Sequence, residues 1–270
     1  MMSDLDKKKK NIMSKINKFL ETNKIADKRG VKIGFLSDDK DIGVIERLPT
    51  GILGFDILTG GGLVKGKINQ IYGPEGCTKT TLTLKAIANC QKIDPMFIAA
   101  YLNNEKTFDR DWAAYNGVDP QRLLVADVTT GEESADLCNH LSSEENEVDF
   151  AAFDTIQALS TKTELGKSDK KKRSVGDKTM ADIPRMYSQF LRMYTSQSAG
   201  TLTLLLASQV RMDLGSFIPT ATATGGNAIK HYNILTVEMR KGGKTHWPST
   251  EIPPKSFTVC LKIKIGRAHV

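Results

Sequence analysis

The sequence predicts an α/β fold: a mostly parallel, twisted sheet with helices on both faces, preceded by an N-terminal helix. Three observations carry that prediction. Apolar runs of strand length alternate with segments of helical periodicity, the pattern of a parallel sheet wrapped by crossover helices. A loop containing two glycines, Gly73-Pro74-Glu75-Gly76-Cys77-Thr78-Lys79-Thr80-Thr81, joins one such run to a helix. Polar residues of catalytic type fall just past the ends of the apolar runs, where an open parallel sheet collects its ligands.

The elements follow in order. Residues 1–44 read as a helix and a linker. Met1–Lys10 is polar, ends in four lysines, and is expected to be a frayed start; Asn11–Leu20 places Ile12, Met13, Ile16, Phe19 and Leu20 at helical spacing. The polar span Glu21–Lys40 has one short strand-like run, Val31–Leu36. A core over residues 45–264 then opens with a short apolar helix, Leu53–Leu58, and the turn Thr59-Gly60-Gly61-Gly62. Lys67–Tyr72 is a strand, and the helix after the glycine loop carries Leu82, Ala86, Ile87 and Cys90 on one side. Further strands are expected at Met96–Leu102, Arg122–Ala126, Val148–Phe153, Thr201–Ala207, Ile234–Arg240 and Phe257–Ile263. Helices are expected at Trp112–Tyr115, Glu132–Leu141 and Ala181–Gln197, the last with Met186, Phe190, Leu191 and Met193 turned inward. Two irregular stretches remain, residues 164–179 and 211–224. Lys162–Lys178 has seven basic against three acidic residues, a net charge of +4.

Composition narrows the class. A chain of 270 residues with 40% hydrophobic and 26% charged content buries one sizeable core. The net charge of +7 favours a polyanionic partner. Cys77, Cys90, Cys138 and Cys260 show neither C-x-x-C pairing nor histidines at ligand spacing, so reduced thiols and no zinc site are expected. Without an apolar signal core or a bilayer-length apolar run, the expected location is the cytoplasm.

Strand, tight loop and helix are the context of a phosphate-binding P-loop. Backbone N–H groups of the loop and of the first helical turn concentrate positive potential where a triphosphate sits. Lys79 would reach the β- and γ-phosphates, and the Thr80 hydroxyl would ligate Mg²⁺. One position departs from G-x-x-x-x-G-K-[ST]: Thr78 stands where glycine is usual, and a positive φ there would strain a threonine. Asp154 closes an apolar strand, the place of a second metal-associated acid. Glu105 follows Leu102 and suits a general base toward water, and Gln209 ends the TLTLLLA strand, within reach of a γ-phosphate. ATP and Mg²⁺ are therefore the expected ligands.

The order of motifs resembles the ATPase core of the RecA/phage recombinase family over about Leu48–Lys264. The matching pieces are GPEGCTKTTLTL, NNEKTFDRDW followed by GVD, VDFAAFDTIQAL, GDKTMADIPRMYSQFLR, LLLASQVRMDLG and TGGNAIKHY. The resemblance implies a RecA-like P-loop ATPase core in a DNA-dependent ATPase that forms helical filaments on single-stranded DNA and pairs it with double-stranded DNA. It implies that Glu105 is the catalytic glutamate, that Gln209 senses γ-phosphate, and that Asp109 and Trp112 flank the adenine. Loops 164–179 and 211–224 would line the filament axis. Met180, Arg185, Ser188, Arg192, Arg211, Phe217, Gly225, Gly226 and Asn227 would contact DNA. Lys262 and Lys264 would reach a neighbour's ATP, and the N-terminal helix would dock on the adjacent subunit, in a bacterial or phage-infected cell. The chain stops short of the family's remaining core strands and C-terminal domain, and Ile265–Val270 matches the translation of a common sequencing adapter, so residues 265–270 are expected to be foreign. Two alternatives are a hexameric RecA-fold helicase or motor and a catalytically weak ATP-binding recombination mediator, the latter suggested by Thr78.

Overall fold

A computed structural model describes residues 4–23, 33–37, 44–143, 147–156, 160–162, 182–197, 201–213, 220–223, 229, 231–245 and 256–265. The chain divides into two compact units, Met1–Glu46 and Arg47–Val270.

In the first unit, α1 spans Asp4–Thr22. The helix therefore begins seven residues before the expected Asn11, and the lysine run lies inside it. Lysine is a good helix former, and Asp4 and Asp6 in the first turn suit the positive end of the helix dipole. Lys9 Nζ donates to Ser37 Oγ at 3.0 Å and lies 5.0 Å from the Phe35 ring centroid. The described part of the expected Val31–Leu36 strand, from Ile33 onward, is not a strand.

The second unit runs β1 (Arg47–Leu48), α2 (Leu53–Thr59), β2 (Leu63–Val64), β3 (Ile68–Tyr72), α3 (Lys79–Ile93), β4 (Ala99–Asn103) and α4 (Arg110–Tyr115). It continues through β5 (Leu123–Ala126), α5 (Gly131–Leu141), β6 (Phe150–Asp154), α6 (Asp182–Gln197) and β7 (Thr203–Ser208). β8 (Val210–Asp213), β9 (Thr220–Ala223), β10 (Leu235–Thr245) and β11 (Ser256–Ile265) complete it. The main sheet has seven strands in the order β11-β10-β3-β7-β6-β4-β5, parallel except for β11, which pairs antiparallel with β10 at the edge.

The inner strands are apolar on both faces because each face is covered. Period-two alternation sends Leu205, Ala207, Tyr101 and Phe150 to one cluster, with Leu82, Ile87 and Cys90 of α3. Leu204, Leu206, Leu102 and Phe153 go to the other, with Cys138 and Leu141 of α5 and Tyr187, Phe190, Leu191 and Tyr194 of α6. The two tyrosines were not among the residues expected to face inward. Burial suits them because Tyr194 Oη donates to Leu202 O at 2.6 Å and Tyr187 Oη donates to Ile156 O. Met186 and Met193, expected inside, are half-buried.

The stretch 211–224 differs from the expected flexible loop. Its two ends pair antiparallel as β8 and β9, Arg211 opposite Thr222 and Asp213 opposite Thr220. Alternating β-branched residues at Thr220 and Thr222 favour this ribbon. Loop 164–179 lies outside the described residues. Of residues 265–270 only Ile265 is described, paired with Leu235.

Candidate active site

β3, β7, β6 and β4 are consecutive neighbours in the sheet, and their carboxyl ends form one ledge. Each carries a residue singled out above: Gly73 after β3, Gln209 after β7, Asp154 at the end of β6 and Glu105 after β4.

The glycine loop turns from β3 into α3. Gly73 is buried, and a Cβ there would lie 2.2 Å from Met239 O of β10, so no other residue fits. Gly76 has φ +66° and Thr78 has φ +62°, ψ +26°. Threonine thus adopts the left-handed conformation at the position where glycine is usual. Its Oγ1 donates to Cys77 O at 2.7 Å, and its own carbonyl accepts from Leu82 N at 2.9 Å, the first bond of α3. The first-turn N–H groups of α3, at Lys79, Thr80 and Thr81, have no intrahelical acceptor and are available to an anion, next to the loop residues Pro74, Glu75 and Cys77.

Lys79 is 7% exposed, and its ammonium donates to Gly73 O and Pro74 O, each at 2.9 Å. Burial pulls its pKa below the ordinary lysine value, opposed by the charges of Cys77, Asp154, Glu105 and Glu75. Thr80 Oγ1 donates to Asp154 Oδ2 at 2.6 Å. Tyr101 Oη of β4 donates to the same oxygen, and burial, with Asp154 next, raises the Tyr101 pKa. A hydroxyl and a carboxylate in contact at the loop are hard oxygen donors of the kind Mg²⁺ takes, so the residues present fit that ion. The backbone cradle and Lys79 fit a polyphosphate.

Glu105, just past β4, is joined to the residues that follow β6 and β7. Its Oε1 accepts from Thr155 Oγ1 at 2.7 Å and from Gln209 Nε2 at 3.2 Å, across 104 residues of chain. The turn that carries it is fixed by two buried asparagines. Asn103 Oδ1 accepts from Thr107 N and Phe108 N, and its Nδ2 donates to Asp127 at 2.6 Å. Asn104 Nδ2 donates to Thr155 O at 3.0 Å, and its Oδ1 accepts from Ser134 Oγ. Thr155, Asn103, Asn104 and Tyr101 were missed from sequence, although the polar run Asn103-Asn104-Glu105 after an apolar strand was a signal for the asparagines.

The remaining residues lie further out. Asp109 caps α4, accepting from Trp112 N at 3.0 Å. Trp112 is 42% exposed and stacks on Tyr115, with centroids 5.3 Å apart. Arg185, Ser188 and Arg192 are exposed on α6, spaced so that they share one side of the helix. Arg211 stands in β8 opposite Thr222. Lys262 is exposed on β11 opposite Glu238, and Lys264 pairs with Thr236. Met180, Phe217, Gly225, Gly226 and Asn227 lie outside the described residues. No helix among the described residues is long and apolar enough to cross a membrane.

The chain is similar to known proteins. Relatives named Protein RecA, from Francisella philomiragia and from two subspecies of Francisella tularensis (novicida and tularensis), are each 37% identical to the chain over 211 residues. The aligned region is 77% of this chain and 56% of each relative, so the chain spans about half the length of the curated relatives it matches. The RecA N-terminal domain family matches residues 13–268. With nearly the whole chain inside that match and a mostly parallel α/β core behind the loop, the protein belongs to the RecA family.

Proposed function

We propose that this chain is the ATPase and DNA-binding part of a DNA recombinase, which assembles filaments on single-stranded DNA and promotes homologous pairing and strand exchange. The observation that carries the proposal is the Glu105–Gln209 contact. It links the acid suited to activate water with the residue that leads directly into β8, at the base of the second irregular stretch.

In this reading the backbone of residues 73–81 and the α3 N-terminus bind the phosphates of ATP. Lys79 exchanges its two carbonyl acceptors for phosphate oxygens. Thr80 and Asp154 hold Mg²⁺, which when bound neutralises charge on the phosphate oxygens. Asp109 and Trp112 flank the adenine. Glu105 accepts a proton from the attacking water, held toward it by Thr155. Gln209 would turn from Glu105 toward the γ-phosphate, moving β8 with it, so ATP and single-stranded DNA each tighten binding of the other. Arg185, Ser188, Arg192 and Arg211, with Met180, Phe217, Gly225, Gly226 and Asn227, meet DNA chiefly at its backbone, which gives salt-dependent affinity with little sequence preference. Lys262 and Lys264 reach a neighbouring subunit's ATP, and α1 docks on the adjacent subunit. Thr78 in the left-handed conformation supports the catalytic reading over a mediator that binds ATP without turning it over.

ATP hydrolysis measured with and without single-stranded DNA, beside Glu105→Gln, tests the proposal. DNA stimulation that Glu105→Gln abolishes is the expected result. ATP-dependent DNA binding without turnover would favour the mediator, closed rings under the electron microscope would favour the helicase or motor, and no effect of DNA would refute the proposal.

A further inference from the structure

Beyond Lys79, a second ammonium lies on the phosphate loop. β10 pairs with β3 only as far as Glu238 opposite Tyr72, where β3 ends and the loop begins. The next residues of β10 overrun that end. Met239 O packs against Gly73, and Arg240 is held by a salt bridge to Glu238, a residue only 5% exposed that also accepts from Tyr72 Oη. Lys241 comes next, and the register with β11 shifts between Lys241 and Lys244, so the strand is irregular from that point. An ideal Cβ on Gly76 would lie 2.9 Å from Lys241 Nζ and 3.3 Å from its Cε. The ammonium therefore rests against the loop backbone, and it can do so because residue 76 has no side chain.

Electrostatics gives this placement a purpose. The charges of Glu75, Glu105 and Asp154 all act on Lys79, so one buried ammonium faces three carboxylates before any phosphate arrives. A polyphosphate adds more negative charge, and a second cation from the same chain would offset part of it. Arg240 pairs with Glu238, and Lys241 is exposed with its ammonium over the loop.

We propose that Lys241 is a phosphate-binding residue of this site, which engages the β- or γ-phosphate of a nucleoside triphosphate from the β10 side while Lys79 engages it from within the loop. The inference rests on the reading of residues 73–81 as a nucleotide site.

Titration of the whole chain with a fluorescent ATP analogue, and with the matching ADP analogue, tests it at two salt concentrations. An exposed charge contact predicts that Lys241→Ala weakens ATP-analogue binding about fivefold at low salt and by less at high salt. The melting temperature of the nucleotide-free protein should not change, and Lys241→Arg should bind within about threefold of the original. Lys241→Ala binding within twofold of the original would overturn the proposal. So would equal losses for alanine and arginine accompanied by a lower melting temperature, which would make Lys241 a support for the loop. If the unsubstituted protein binds neither nucleotide, the nucleotide-site reading itself falls, a result distinct from both.

Discussion

Replacing Thr155 with valine removes one hydroxyl from behind Glu105 and keeps a β-branched side chain of nearly the same shape. Thr155 is 2% exposed, and its Oγ1 makes the shorter of the two side-chain hydrogen bonds to Glu105 Oε1, 2.7 Å against 3.2 Å from Gln209. A hydrogen bond to a charged group is worth about 1.5–3 kcal/mol. Gln209 and water can recover part of that, because Glu105 is half-buried. A loss of about 1.4 kcal/mol in positioning the base corresponds to about a tenfold fall in kcat. KM for ATP should stay within about twofold, because Glu105 is assigned to water and not to ground-state phosphate binding. Asn104 Nδ2 donates to the backbone carbonyl of residue 155, which valine retains, so the turn should hold and the melting temperature should barely move. Thr155→Ser keeps the donor and should restore most of the rate. The assay is steady-state ATP hydrolysis with single-stranded DNA. If Thr155→Val turns over within twofold of the original protein while Glu105→Gln is inactive, the hydroxyl does not position the base and the reasoning fails.

Other perturbations test the loop and its surroundings. Gly73→Ala sets a Cβ 2.2 Å from Met239 O and should cost about 3 kcal/mol or more, read by chemical denaturation, whereas Gly54→Ala in α2, with nothing within 4 Å, should stabilise by about 0.5–1 kcal/mol. Thr78→Gly relieves a β-branched residue at φ +62° and should stabilise by about 1 kcal/mol, a rise of about 2–4 °C in melting temperature. An unchanged or lower value would mean that the Thr78 hydroxyl bond to Cys77 O outweighs the strain. Burial holds the Lys79 pKa below 10.5, so between the folded value and 10.5 the unfolded chain binds more protons. Lys79 should therefore contribute stability that rises with pH in that window, seen in denaturation of the nucleotide-free protein and absent in Lys79→Met. Across the same window nucleotide affinity should fall as the ammonium deprotonates.

Much of this protein was legible before any fold was known. Local pattern placed Lys79 and Thr80 at a helix start after an apolar strand, and Asp154 at the end of another. Strand length, apolar runs and loop chemistry are properties of neighbouring residues, and elementary sterics and hydrogen bonding read them directly. Boundaries were less legible. The Lys7–Lys10 run looked like a solvated start because charge was weighed above helix propensity. Tyr187 and Tyr194 were not counted as core, because a buried tyrosine hydroxyl needs an acceptor that only the fold supplies, here Ile156 O and Leu202 O. The pairing of β8 with β9 likewise hid in a stretch of small and β-branched residues.

Only the tertiary structure decided which of these pieces meet. The order β11-β10-β3-β7-β6-β4-β5 places four strand ends side by side that the chain visits in a different order. That order brings Thr155 and Gln209 onto Glu105, Tyr101 onto Asp154, and Met239 and Lys241 onto the phosphate loop. None of these contacts has a local signature, because strand neighbours are chosen by burying both faces of one sheet at once. The sequence alone determined the chemistry that the site can hold, and the packing of distant strands determined which groups act on it together.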